Sequence, residues 1–420
     1  MVQQVSGRVK WKAVFQPWQE LDWLLVVVVI VLTTIGGFMI RSTEIAEDVV
    51  FFSWQHWFLG IIGVGILLSL ARWRYENLLR WTWIIYGITN ASLLLVIFVG
   101  TKALGAQRWI SVGGFNIQPS EFAKLGLIIT LAGVLHRSKA MNLSIVAKVL
   151  SITMLPWALI FLQPDLGTSL VFGAITLGML YWANANPGWL ALLVAPLISA
   201  ILFGLYWPLW FLWVGVVGAI AWNSLPWRWL GTFAMVVMNL LAGGIGKLLW
   251  SLLQDYQKAR LILFLEPDKD PLGGGYHLIQ SRIAIGAGQL WGRGLHQGTQ
   301  TQLGFIPEQH TDFIFSAIGE ELGFAGACLV LFLFWVVCLR LVIIAQNAKD
   351  DFGSLLAIGV LLMIIFQVLV NIGMTIGLAP ITGIPLPWMS YGRSAMLTNF
   401  LSLGIVESVM NHRHRLKFTE

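Results

Sequence analysis

Long, unbroken apolar runs recur along this chain, and they constrain its fold more than any motif. The first includes LLVVVVIVL at residues 24–32. A membrane-spanning β-barrel alternates apolar and polar residues along each strand, and these runs do not. They read as helices, whose backbone groups are all satisfied within the segment. Composition supports a lipid solvent. The chain is 57% hydrophobic and 11% charged, against about 25% charged in a soluble domain. So little polar surface cannot face water, which makes this an integral membrane protein.

Apolar segments fall near 21–40, 54–71, 82–100, 121–136, 145–163, 166–183, 188–206, 208–222, 229–250, 313–345, 354–379 and 393–411. A span needs about 20 apolar residues, and 121–136 and 208–222 are short of that. The expectation is an all-α integral membrane protein, a polytopic bundle of roughly ten to twelve helices. Residues 1–420 read as one membrane domain, with no internal repeat and no low-complexity segment.

Lys and Arg set the orientation. With Arg8, Lys10 and Lys12 inside, alternation also puts Arg72, Arg74, Arg80, Arg137, Lys139, Lys148, Arg228, Arg340, Lys349, Arg413, Arg415 and Lys417 inside. That agrees with the positive-inside rule and leaves both termini cytoplasmic. The connections 101–121, 163–165 and 251–312 then fall outside. The polar features gather on that face, where a transporter would scatter them over both.

Several classes are disfavoured. The net charge of +6 fits cytoplasmic loops better than nucleic acid, because no basic–aromatic stripe accompanies it. Most of the 22 tryptophans, such as Trp18, Trp54 and Trp83, read as interfacial belts. Cys328 and Cys338 lie roughly 15 Å apart along one apolar helix and read as packing residues. The N-terminal apolar run is long and lacks a small-residue cleavage site, so no cleavable signal is expected. His277, His296 and His310 lack ligand spacing, so no metal site is assigned.

The polar motifs carry the chemistry. In QPSEFAK, Glu121 and Lys124 are i and i+3 and share a helix face. Ser120 is a candidate cap there. An intramembrane lysine faces a cavity or a partner, and Glu121 is the nearest partner. Asp165 in QPDLGTS is either a turn residue or part of the same outward site. Arg108 in GAQRW can grip a phosphate or carboxylate bidentately, or anchor at the interface. Segment 251–312 is a loop of about 60 residues, a length that marks function or disorder, and its apolar content argues against disorder. GAGQLWGRG within it lacks the dinucleotide-binding spacing. Asp312 fits a helix N-terminus. Glu320 and Glu321 enter the membrane and call for partners. PITGIPLPWMSYG is non-helical backbone at membrane depth, tolerated only inside protein or beside a cavity.

Together, GAQRWI, QPSEFAK, QPDLGTS, DPLGGGYHLIQS, QLGFIPEQHTDFIFSAIGEELG and NIGMTIGLAPITGIPLPWMSYG resemble the signature blocks of the SEDS family (shape, elongation, division, sporulation). The blocks stand in family order from about residue 100 onward. GTQTQLGFIPEQHTDFIF is closer to the elongation branch than to the division branch. SYGRS, with Arg393, departs from the family's SYGGS, and the stretch near 206–250 is longer than usual, room for an extra hairpin that would make twelve helices.

The resemblance implies a peptidoglycan glycosyltransferase that polymerises lipid II outside the cytoplasmic membrane. The implied partners are a class B penicillin-binding protein and other elongation-complex proteins. Asp270 matches the family's essential loop aspartate and is the expected catalytic base. Glu121, Lys124 and Asp165 match its cavity residues. Lys124 and Arg108 are the expected cations for the leaving diphosphate, followed by Arg260, Arg282 and Arg293. His277, Gln280, Ser281 and Asp312 are further candidate substrate contacts. A divalent cation, Mg or Mn, would help neutralise the diphosphate, although no ligand set is visible. The competing classes are a flippase for lipid-linked precursor, suggested by the many spans and intramembrane charges, and a non-catalytic scaffold for the penicillin-binding protein.

Overall fold

The structure, a computed structural model, describes residues 18, 20–45, 51–103, 106–113, 115–137, 142–163, 165–252, 258, 262–264, 266, 269–270 and 275–413. The chain opens with helices α1 (Trp23–Ile45) and α2 (Phe52–Arg72), a 3₁₀ turn (Tyr75–Asn77) and α3 (Leu78–Val99). Three short strands follow, β1 (Thr101–Ala103), β2 (Ala106–Val112) and β3 (Phe115–Ile117). Next come α4 (Pro119–Leu135), α5 (Leu143–Leu162), α6 (Leu166–Trp182), α7 (Pro187–Leu205), α8 (Trp207–Ser224) and α9 (Arg228–Leu252). The polar segment holds α10 (Tyr276–Ala287), α11 (Thr299–Gln302) and α12 (Ile314–Glu321). The chain closes with α13 (Gly323–Gln346), α14 (Asp351–Ile376) and α15 (Arg393–Asn411).

Helix boundaries follow side-chain chemistry. Asn142, Asp165, Asn186 and Asp350 each accept a backbone N–H from the first turn of the helix they precede, which satisfies an orphan donor. Pro119 and Pro187 sit in the first turn, where proline's missing N–H costs nothing. Gly377 ends α14 at φ +81°, a left-handed cap that glycine adopts without strain.

Among the described residues, eight helices are long and apolar enough to cross a membrane. The chain is a polytopic helical membrane protein, as expected. Its outward faces carry Ile61, Phe98, Leu212, Phe233 and Leu369, all exposed. Such a coat is unfavourable in water and solvated by lipid tails. Residues 207–224 and 228–252, the site of the expected extra hairpin, form α8 and α9.

The principal core joins α1–α6 with α12–α15. At its centre every residue of α4 except Phe122 is buried. A second, small core lies within α7–α9, built from Leu192, Ala195, Val217 and Ala221 with Met235 against them. Buried hydrogen bonds support it: the Trp210 indole N–H donates to Ser199 Oγ at 2.8 Å, and that hydroxyl donates to the Asn239 carbonyl at 2.9 Å.

Two departures from helix flank the helical core. The 101–117 connection is a three-stranded antiparallel meander, β1-β2-β3, which the all-α expectation missed. Gly113, at φ +57°, makes its second turn. The 377–392 segment is non-helical and its Leu386, Trp388, Met389 and Ser390 are buried. It passes so close to α1 that a Cβ on Gly36 would lie 2.6 Å from the Met389 backbone. Around residues 384–390 this irregular backbone is thus largely enclosed in protein, as the lipid solvent requires.

Candidate active site

The site begins at the first turn of α4. Gln118 is its N-cap and Pro119 its first residue, so Ser120 lies inside the helix and is not its cap. Ser120 Oγ is buried with no hydrogen-bond partner among the described residues. Glu121 and Lys124 face each other one turn apart, with Lys124 Nζ 2.7 Å from Glu121 Oε2. Their side chains are 4% and 2% exposed, so this pair has left water almost completely. A buried charge is tolerated when paired.

A second pair lies beside it. Arg108, on β2, stands 3.8 Å from Asp165 and donates from Nε to the Gln163 carbonyl at 3.3 Å. Asp165 also caps α6, accepting from the Thr168 N–H at 3.2 Å and the Thr168 hydroxyl at 3.0 Å. Asp165 thus caps a helix and pairs with Arg108 at once. Gln118 joins the pairs, because its Nε2 donates to Asp165 Oδ2 at 3.4 Å and its backbone N–H donates to Ser394 Oγ at 2.9 Å. Gln163 Nε2 donates to the Leu93 carbonyl at 2.8 Å. Thus α3, β2, α4, α6 and α15 converge on one buried charged cluster, and α6 leads on to the 377–392 segment. A Cβ on Gly167 would lie 2.9 Å from the Thr382 carbonyl oxygen.

The polar segment is braced from below. Glu320, fully buried, accepts from the backbone N–H of Gln300 (2.8 Å) and Thr301 (2.9 Å) and from the Thr301 hydroxyl (2.7 Å). Glu321 accepts from the Ser42 hydroxyl at 2.6 Å. These acids have the partners that membrane entry demanded. Asn371 Nδ2 donates to the carbonyls of Asp312 (2.9 Å) and Ile384 (2.8 Å), tying the loop to the 377–392 segment.

The remaining sequence-derived candidates are distributed around this frame. Asp270 is exposed, and its carbonyl accepts the Gly275 N–H at 3.0 Å ahead of α10. His277 stacks on Phe313 with ring centroids 5.9 Å apart, and Gln280 is half-buried on the same helix. Ser281 is fully buried, its hydroxyl 2.6 Å from both Ser316 Oγ and the Thr375 carbonyl, which makes it a bond between helices. Arg293 donates to the Thr299 hydroxyl at 2.9 Å and braces the loop. Asp312 does not cap α12, whose N-cap is Phe313 with no side-chain bond. Arg282 lies against Gly377. Arg260 lies outside the described residues. Among the described residues, no three His, Cys, Asp or Glu side chains form a metal-ligand group.

Sequence reasoning missed Gln118, Gln163 and Ser394. The signal available was the Gln-Pro pair that opens both QPSEFAK and QPDLGTS. An amide beside a proline retains two side-chain donors where the following residue has no backbone N–H to offer.

Fold and site together define a polytopic membrane protein with buried, paired charges gathered at one end of its bundle. The sequence matches the FtsW/RodA/SpoVE cell cycle protein family over residues 20–214 and 209–415. The chain belongs to that family. It is 36% identical to the peptidoglycan glycosyltransferase RodA of Treponema pallidum, over 93% of this chain and 97% of that protein. It is 34% identical to the peptidoglycan glycosyltransferase MrdB of Escherichia coli K12, over 85% of this chain and 84% of that protein. Among solved structures, one from work on a peptidoglycan synthase complex that coordinates polymerization and crosslinking superposes with TM-score 0.72 at 26% identity. It covers 95% of this chain and 100% of the other. The RodA of Thermus thermophilus shares the fold, with TM-score 0.62 at 24% identity over 95% of this chain and 99% of that one.

Proposed function

We propose that this chain is a peptidoglycan glycosyltransferase of the elongation type, polymerising lipid II at the outer face of the cytoplasmic membrane. The observation that carries the reading is the buried Glu121–Lys124 pair beside Arg108–Asp165, in a family whose relatives are named for this activity. In the reaction, the 4-hydroxyl of one lipid II's GlcNAc attacks the anomeric carbon of another chain's MurNAc. The bond from that carbon to the diphosphate oxygen breaks, and undecaprenyl diphosphate leaves. Asp270 takes the hydroxyl proton, because an un-ionised sugar hydroxyl is a poor nucleophile. Lys124 and Arg108 offset the charge that develops on the diphosphate. Glu121 and Asp165 hold those cations in position.

The positive-inside pattern supports cytoplasmic termini and an extracytoplasmic position for 251–312. The peptidoglycan synthase complex among its structural relatives supports a class B penicillin-binding protein as partner. The experiment is to incubate the purified full chain with lipid II, alone and with the transpeptidase, and resolve glycan products on a gel. Polymer from the chain supports the reading. Translocation of labelled lipid II across vesicles without polymer would make it a flippase, and neither activity would leave a scaffold.

A further inference from the structure

A groove opens between α3, α4 and α5 at the end of the bundle opposite the charged cluster. Its volume is about 210 Å³, and it is lined by Thr82, Trp83, Gly133, Ile145, Arg137 and Lys148. It sits at the start of α3 and α5 and the end of α4, whereas Gln118, Glu121 and Gln163 lie at the other ends of α4 and α5. Along α4, Lys124 and Glu121 lie 9 to 16 residues from Gly133 and Arg137, a separation of about 14–24 Å. The groove is too far away to serve the proposed glycosyl transfer.

Its composition is asymmetric. Gly133 contributes no side chain, and a Cβ there would lie 3.0 Å from Thr82 Oγ1, so the groove is floored by backbone. Trp83 and Ile145 line it with apolar surface. Arg137 and Lys148 are both exposed, and neither is paired with a carboxylate among the described residues. Several other described basic groups on this side do have carboxylate partners: Arg74 and Lys349 pair with Glu76, Arg340 with Asp22, and Arg413 with Glu20. Two uncompensated cations over an apolar cleft fit a ligand with an anionic head and a greasy body. The volume is below the roughly 300–1,000 Å³ of pockets that enclose a whole drug-sized molecule. It suits a headgroup whose remainder stays in the bilayer.

We infer that this groove binds the phosphate headgroup of an anionic phospholipid, held by Arg137 and Lys148 with Trp83 and Ile145 against its glycerol and upper acyl chain. Basic pockets between helices at the membrane surface recognise such headgroups.

The test uses the full chain in nanodiscs containing phosphatidylglycerol or cardiolipin, with phosphatidylcholine as the neutral control. Native mass spectrometry counts the lipids that remain bound after release. Wild type retains an anionic lipid that the Arg137→Gln/Lys148→Gln variant loses, with affinity lower by about thirty-fold for two basic groups. The charge-preserving Arg137→Lys/Lys148→Arg variant retains it, which separates charge from folding. Equal retention by wild type and the Gln variant, or equal retention of phosphatidylcholine, would overturn the inference. So would displacement of the lipid by millimolar inorganic phosphate, which would assign the groove to a soluble anion.

Discussion

Replacing Lys124 with Met leaves Glu121 as an uncompensated carboxylate inside α4. At 2.7 Å and an effective dielectric constant of about 20, the attraction within the pair is about 6 kcal/mol. Desolvating each ion costs several kcal/mol, so the pair as a whole is close to neutral for stability, whereas half of it is not. Lys124→Met is therefore expected to destabilise by about 3–5 kcal/mol. Spread over the unfolding entropy of a chain this long, that is a fall in Tm of about 3–6 °C. Adding Glu121→Gln removes the stranded charge and restores most of the loss. Intrinsic tryptophan fluorescence on heating in detergent reads the four corners of this cycle. Polymerisation behaves differently. Both variants that lack Lys124 lose about 10²–10³-fold in rate, the scale of losing one charge-stabilising donor. A double variant as unstable as Lys124→Met would refute the pairing argument. A stable double variant that polymerises at the wild-type rate would remove Lys124 from the chemistry.

Three further substitutions probe the frame. Arg340→Met strands the buried Asp22 carboxylate, whose Oδ2 lies 2.6 Å from Arg340 Nε. Because Arg340 is partly exposed, the loss in a thermal melt is held to about 1–3 kcal/mol, and Asp22→Asn in that background restores part of it. Glu320→Gln weakens the bonds from Gln300 and Thr301, charge-assisted bonds worth about 1.5–3 kcal/mol each. Hydrogen exchange across 299–303 should rise more than tenfold while α14 is unchanged. Gly292→Ala adds a Cβ at φ +80°, 2.1 Å from the Glu321 carbonyl oxygen, and a melt should show a loss of 2 kcal/mol or more.

Much of this was legible in the sequence, for identifiable reasons. The helices were visible because lipid demands long apolar segments, and the Glu121–Lys124 pair because i,i+3 spacing is local geometry. The meander at 101–117 was not, because its strands are three to seven residues long and carry no clear alternation. The Arg108–Asp165 pair joins a strand to a distant helix cap, and only tertiary structure brings them together. Glu320 and Glu321 announced a need for partners, but Ser42, Gln300 and Thr301 could not be named until α1, α11 and α12 were assembled. Asp270 was singled out from its acidic neighbours by resemblance, not by any spacing.

The role of Asp270 is the central claim about the chemistry. Purified wild type and Asp270→Asn, matched for membrane insertion and melting temperature, are incubated with lipid II, and polymer is resolved by gel. Wild type makes glycan strands and Asp270→Asn makes none. Polymer from the variant at the wild-type rate would contradict the assignment of Asp270 as the base.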